Sequence, residues 1–251
     1  MMPNQTIVYG DSFSNYKFIS DLSPISQDQM WFNYVATGKI IDRTKTGQSP
    51  FTMFLQATHD VVSYKEPTRL ILALGACTRL PTYTDGWYEN EQLKENEQLK
   101  DVDPTTPLPG PARPTNLTDC EPYFDIVKIN KHTEAQFHPT LLWATIYKEI
   151  INLSHMCQTH QHQLIIVHMN TDSKNSWIHK KHPLIKPLCE CAENLPNYFT
   201  EQESCKVVCE EANIKPLDFN VYKWYGHHGS EAQQLFGRYI SNKTIEKQLW
   251  N

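Results

Sequence analysis

The sequence predicts a three-layer α/β/α fold around a central parallel sheet. Three observations carry that expectation. Short runs rich in Ile, Leu and Val recur along the chain. They are continuously apolar rather than alternating, as strands buried on both faces are. Segments with helical apolar spacing separate them, and strands alternating with helices point to a parallel sheet with helices on its faces.

Taken in order, "TIVYG" at 6–10 reads as the first strand, and "DQMWFNYVATG" at 28–38 as a helix. "KIID" at 39–42 is a shorter strand candidate. "SPFTMFLQATHDVVSY" at 49–64 places Phe51, Phe54, Leu55, Thr58, Val61 and Val62 on one helical stripe. "RLILALG" at 69–75 and "QLIIVHM" at 163–169 are further strands. Between them "HPTLLWATIYKEIINLSHMCQTH" at 138–160 is the strongest helix, with Pro139 in its first turn. A final helix opens at Ser230, whose Ser-Glu-Ala-Gln start suits an N-cap.

One domain is expected over residues 1–251, interrupted at about 84–118. "ENEQLKENEQLK" at 89–100 is a tandem hexapeptide, and a six-residue period does not keep Leu93 and Leu99 on one helical stripe. The proline-rich "DVDPTTPLPGPARPTNLTD" follows it. The segment reads as a surface insertion. Tyr83, Trp87 and Tyr88 either line a sugar-stacking rim or pack the insertion against the body.

A net charge of −5 without clustered Lys and Arg argues against a nucleic-acid partner. No stretch approaches the roughly 20 apolar residues that span a bilayer, and no leader pattern opens the chain. A soluble chain without a signal peptide is expected, cytoplasmic or virion-associated. The seven cysteines are an odd count, so mostly free thiols are expected. Cys189-x-Cys191 followed by Cys205-x-x-x-Cys209 fits structural zinc spacings poorly, and the histidines are scattered. The expectation is therefore no metal and no cofactor.

The first strand ends in Gly10, Asp11 and Ser12. Strand ends of a parallel sheet point into the crevice where α/β proteins bind ligands. A serine there becomes a nucleophile only with a base to take its proton and donors to hold an oxyanion. Gly-Asp-Ser alone is a common turn tripeptide; its place after a strand, with a glycine after the middle strand and a histidine before the last helix, is what makes it a candidate.

In this order the residues resemble the SGNH or GDSL hydrolases, α/β esterases and lipases of a flavodoxin-like architecture. "VYGDSFS" matches the opening motif, Gly47 in "RTKTGQSPF" stands for the oxyanion glycine, Gly75 for the glycine of the third motif, and "YGHHGSEAQQLF" for the segment of the catalytic histidine. The resemblance implies Ser12 as nucleophile and His228 as base, with His227 as the alternative. It also implies an oxyanion and substrate-binding set around Gly47, Gly75, Cys77 and Arg79. Cys77 stands where the family has asparagine, and a thiol is a poor donor. Tyr225 stands where the family has the triad aspartate, three residues before His228; sliding to His227 puts Trp224 there. Asp218 is the nearest upstream acid, and Asp11 reads as a turn residue. A Ser-His dyad is thus implied, acting on small-molecule or carbohydrate esters, O-acetyl groups among them. An arginine without the asparagine resembles phage-encoded SGNH-like proteins, and Cys77 and Tyr225 at the asparagine and acid positions favour the competing expectation, an impaired SGNH-fold binding or structural module, for example of a phage particle. A flavodoxin-like nucleotide binder is a third reading, weakened by the single glycine in "GDSFSNYKF".

Overall fold

The computed structural model describes residues 3–45, 48–75, 139–169, 182–217 and 227–250. Four strands, β1 (Gln5–Gly10), β2 (Lys39–Asp42), β3 (Arg69–Leu74) and β4 (Gln163–His168), form one sheet in the order β2-β1-β3-β4. Every pairing is parallel, with Ile7 opposite both Ile41 and Leu70, and Leu70 opposite Leu164. The continuous apolar runs are explained by the pleat, which sends successive side chains to opposite faces. Ile7, Tyr9, Leu70, Leu72, Leu74, Leu164 and Ile166 enter one core. Val8, Ile71, Ala73, Ile165 and Val167 enter the other.

Six helices flank the sheet among the described residues: α1 (Tyr16–Leu22), α2 (Pro50–Ser63), α3 (Pro139–Thr159), α4 (Lys186–Glu193), α5 (Cys205–Glu211) and α6 (Ser230–Glu246). Met53, Phe54 and Val61 of α2, Trp143 to Leu153 of α3, and Cys189 and Ala192 of α4 fill the first core. Ile19 of α1, Val208 of α5, and Phe236 and Ile240 of α6 fill the second. The molecule is an α/β protein of three layers, as the sequence predicts.

Three expectations need correction. Residues 28–38 are not an α-helix: two 3-10 turns, Gln27–Gln29 and Trp31–Tyr34, stand there. A capping box between Ser26 and Gln29 closes the first turn, and Met30 is extended (φ −63°, ψ 139°), breaking the helical path. The break lets Trp31 and Phe32 bury side by side. In α2 the buried stripe is rotated from the expected one. Met53, Phe54, Ala57, Asp60 and Val61 face inward, while Leu55 and Val62 are exposed. A polar anchor turns the helix: the Tyr9 hydroxyl donates to Asp60 Oδ2 at 2.7 Å, and Arg43 Nε lies 2.8 Å from the same oxygen. At α6 the N-cap is Gly229, and Ser230 is already helical, its hydroxyl accepting from Gln234 Nε2 at 3.0 Å. The short helices α1, α4 and α5 went unmarked by apolar spacing.

β1 has β2 on one side and β3 on the other, so the chain leaves β1 and β3 in opposite senses along the sheet. Such a reversal opens a crevice at the strands' C-terminal ends. Ser12 follows β1 there and Gly75 follows β3.

Candidate active site

The turn after β1 is held from several sides. Asp11 is fully buried; its Oδ1 accepts the Phe13 N–H at 3.0 Å and its carbonyl accepts the Ser14 N–H at 3.1 Å. This is the turn role that the sequence suggests for Asp11. Ser14 Oγ accepts from Trp31 Nε1 at 3.1 Å, and a Cβ on Gly10 would come within 2.8 Å of Ser14 Cβ. Glycine at position 10 thus lets the turn fold back over its own strand. Asn15 caps α1, accepting from the Phe18 N–H at 2.9 Å, and donates to the Thr44 carbonyl at 3.0 Å. Lys45 N–H donates to the Gly10 carbonyl at 2.9 Å, so the loop after β2 is tied to the same turn.

Ser12 therefore stands on a fixed turn, and a histidine meets it. His227 Nε2 lies 2.9 Å from Ser12 Oγ across 215 positions of sequence. The imidazole is seated by aromatic rings: Phe13 stacks on it (4.5 Å between centroids, 18° between planes) and Phe18 tilts against it at 4.8 Å. Ser12 is 4% and His227 8% exposed, so the pair is buried where β1 ends. Nucleophile and base at hydrogen-bond distance are the minimum for an activated serine.

The histidine that reaches the serine is the alternative, His227, rather than His228. His228 is 2% exposed and lies with Cys205 and Cys209, their ligand atoms all within 4.8 Å of one another. Two adjacent histidines cannot be told apart by spacing from a helix start; what separates them is packing, His227 against Phe13 and Phe18 and His228 beside Cys205 and Cys209.

Gln233, which the sequence did not mark, joins the two halves of the site. Fully buried on α6, it donates from Nε2 to the Phe13 carbonyl at 3.1 Å and the His228 carbonyl at 3.3 Å. Its Oε1 accepts the Trp31 N–H at 3.3 Å. It is the fourth residue of "SEAQ", where a buried glutamine on an otherwise apolar stripe is the only available signal.

Gly75 sits against Asp11, and a Cβ there would overlap the carboxylate. Gly47, Cys77, Arg79, Asp218 and Tyr225 lie outside the described residues, as do Tyr83, Trp87, Tyr88 and the 84–118 insertion. Among the described residues no helix is long and apolar enough to cross a membrane.

No protein-family model matches the chain, and no curated protein matches it. Among solved structures it is similar to the psychrotrophic esterase EstA of Pseudoalteromonas, in a form inhibited by monoethylphosphonate, with a TM-score of 0.48 and 11% identity over 99% of this chain and 100% of that one. It is also similar to YxiM of Bacillus subtilis, with a TM-score of 0.48 and 13% identity over 99% of this chain and 58% of that one. A third similar structure is a member of the lipolytic G-D-S-L family from Veillonella parvula, with a TM-score of 0.35 and 14% identity over 96% of each chain.

Proposed function

We propose that the protein is a serine esterase of SGNH type, with Ser12 as nucleophile and His227 as its base. The observation that carries this reading is the 2.9 Å approach of His227 Nε2 to Ser12 Oγ at the C-terminal end of β1. Ser12 Oγ attacks the ester carbonyl while Nε2 takes the hydroxyl proton, and the carbonyl electron pair moves to its oxygen. As the tetrahedral species collapses, the C–O bond breaks and the imidazolium returns the proton to the departing alcohol. Water then attacks the acyl-serine with the same histidine as base, releasing the acid. The Ser12 N–H and, by the family resemblance, the Gly47 N–H hold the oxyanion.

For the group behind His227, Asp218 is the candidate. The Leu217 N–H donates to the His227 carbonyl at 2.7 Å, and Asp218 is the next residue in the chain. This supports the loop-back arrangement by which an acid ten residues before His228 would replace the missing family aspartate. The substrate class is acyl esters, carbohydrate O-acetyl esters among them; the burial of Ser12 supports a small acyl group.

A fluorophosphonate probe tests the reading. One adduct per chain by intact mass is expected, on the peptide carrying Ser12, with labelling abolished in Ser12→Ala and strongly reduced in His227→Ala. No adduct on the parent chain, or an adduct that persists in Ser12→Ala, would overturn it.

A further inference from the structure

We infer that Cys205, Cys209 and His228 form a binding site for a zinc-class dication, set directly behind the histidine of the serine pair. The site is built by α5 and the residues before α6. Cys205 and Cys209 are four apart on α5, so both thiols leave the same face of the helix, and their Sγ atoms lie 4.0 Å apart. Zinc bound tetrahedrally with Zn–S of about 2.3 Å sets its two sulfurs about 3.8 Å apart, close to the separation present. All three ligand atoms lie within 4.8 Å of one another, so a small rotation of the imidazole closes the third side. Two sulfurs and an imidazole nitrogen are a donor set that selects zinc over magnesium or calcium.

Burial argues in the same direction. Cys205 and Cys209 are fully buried and His228 is 2% exposed, in the core that also holds Met169, Phe199 and Val208. An isolated ion there would be strongly disfavoured. Two thiolates, a dication and a neutral imidazole sum to zero charge, so the assembled centre is compatible with an apolar surrounding. The ligands are also held in place before any metal arrives. Ser204 Oγ caps α5 by accepting the Val207 N–H at 3.3 Å, the Lys206 N–H donates to the Met169 carbonyl at 3.1 Å beyond β4, and Gln233 holds the His228 carbonyl.

The remaining described cysteines do not compete. Cys157 and Cys189 lie in the core on the other face of the sheet, and Cys191 is exposed. The sequence obscures the set: the Cys-x-x-x-Cys pair falls beside an unrelated Cys189-x-Cys191, and the histidine is nineteen positions beyond Cys209. Because His228 adjoins His227, the metal would fix the backbone that presents His227 to Ser12.

Titration of the full reduced, chelator-stripped chain with Co²⁺ tests the inference independently of any hydrolase activity. One equivalent is expected to bind, with thiolate-to-cobalt charge-transfer absorption and the intense visible bands of a tetrahedral ion. Zn²⁺ should displace it and raise Tm. The bands should vanish in Cys205→Ser and in Cys209→Ser, and persist in a Cys77→Ser, Cys120→Ser, Cys191→Ser variant. No stoichiometric uptake, or bands that survive either of the first two changes, would overturn the site. Should those variants misfold by circular dichroism, the triple variant decides: loss of its bands assigns the metal elsewhere. Retained fluorophosphonate labelling in a chain that takes up no metal would reject this site and leave the esterase reading intact.

Discussion

Gly75 has no side chain, and that absence is what lets the Asp11 carboxylate settle at the end of β3. A Cβ at position 75 would occupy the place of the carboxyl group, which is fully buried and already accepts the Phe13 N–H. Asp11 cannot retreat, because it is enclosed by the turn it stabilises. Gly75→Ala is expected to destabilise the fold by about 1–3 kcal/mol, the usual range for forcing atoms into a packed interior. Urea denaturation would read this as a lowered midpoint at unchanged slope; an unchanged midpoint would show that the contact relaxes freely. Gly75 was legible because it ends an apolar strand, and Ser12 because Gly-Asp-Ser does the same. The base was not legible to the single residue. His227 and His228 are neighbours, neither has an acid three residues upstream, and packing distinguishes them, His227 lying against Phe13 and Phe18 and His228 beside Cys205 and Cys209.

At the scale of elements, β1, β3 and β4 were readable because each is buried on both faces, which makes composition alone sufficient, while β2, exposed at Lys39 and Asp42, offered only a short apolar pair. Helices were readable only where the apolar stripe is long. For α2 the stripe was found but turned, since apolar spacing takes no account of the polar anchor between Asp60, Tyr9 and Arg43. The two placements of α2 agree at Phe54 and part at the adjacent Leu55. Phe54→Ala, at 2% exposure, should cost about 3–5 kcal/mol. Leu55→Lys, at 51% exposure, should stay within about 0.5 kcal/mol of the parent. Thermal or urea melts of the pair check this directly, and a Leu55→Lys variant as damaged as Phe54→Ala would restore the stripe read from spacing. Segment 28–38 misled for a related reason: its apolar residues bury through an extended break at Met30 that no periodicity describes.

For the molecule as a whole, one buried histidine links the end of the sheet opposite the crevice to the pH dependence of folding. His162 stands between α3 and β4. Its Nδ1 accepts the Thr68 N–H at 3.0 Å just before β3, and its Nε2 lies 3.0 Å from the Val61 carbonyl in α2. Both contacts are satisfied together only by the neutral ring protonated at Nε2, since a proton on Nδ1 would face the Thr68 donor. Burial, the leading cause, pushes the His162 pKa below its usual 6.5, and the nearby His160 adds to the shift; backbone hydrogen bonds to Val61 and Tyr64 act against it. The unfolded chain therefore takes up a proton at a higher pH than the folded chain does. Above about pH 6.5 both are neutral at this position and the contribution is fully present. As pH falls from there towards the depressed folded value, the unfolded state gains protons first and stability declines, by up to about 1.4 kcal/mol per pH unit for one proton. His162→Phe should be less stable than the parent at neutral pH, having lost both bonds, yet show a shallower fall of the urea midpoint as pH drops below about 6.5. A variant whose midpoint falls as steeply as the parent's would assign the acid sensitivity to other groups, and would place the coupling of α2, β3 and β4 in apolar packing alone.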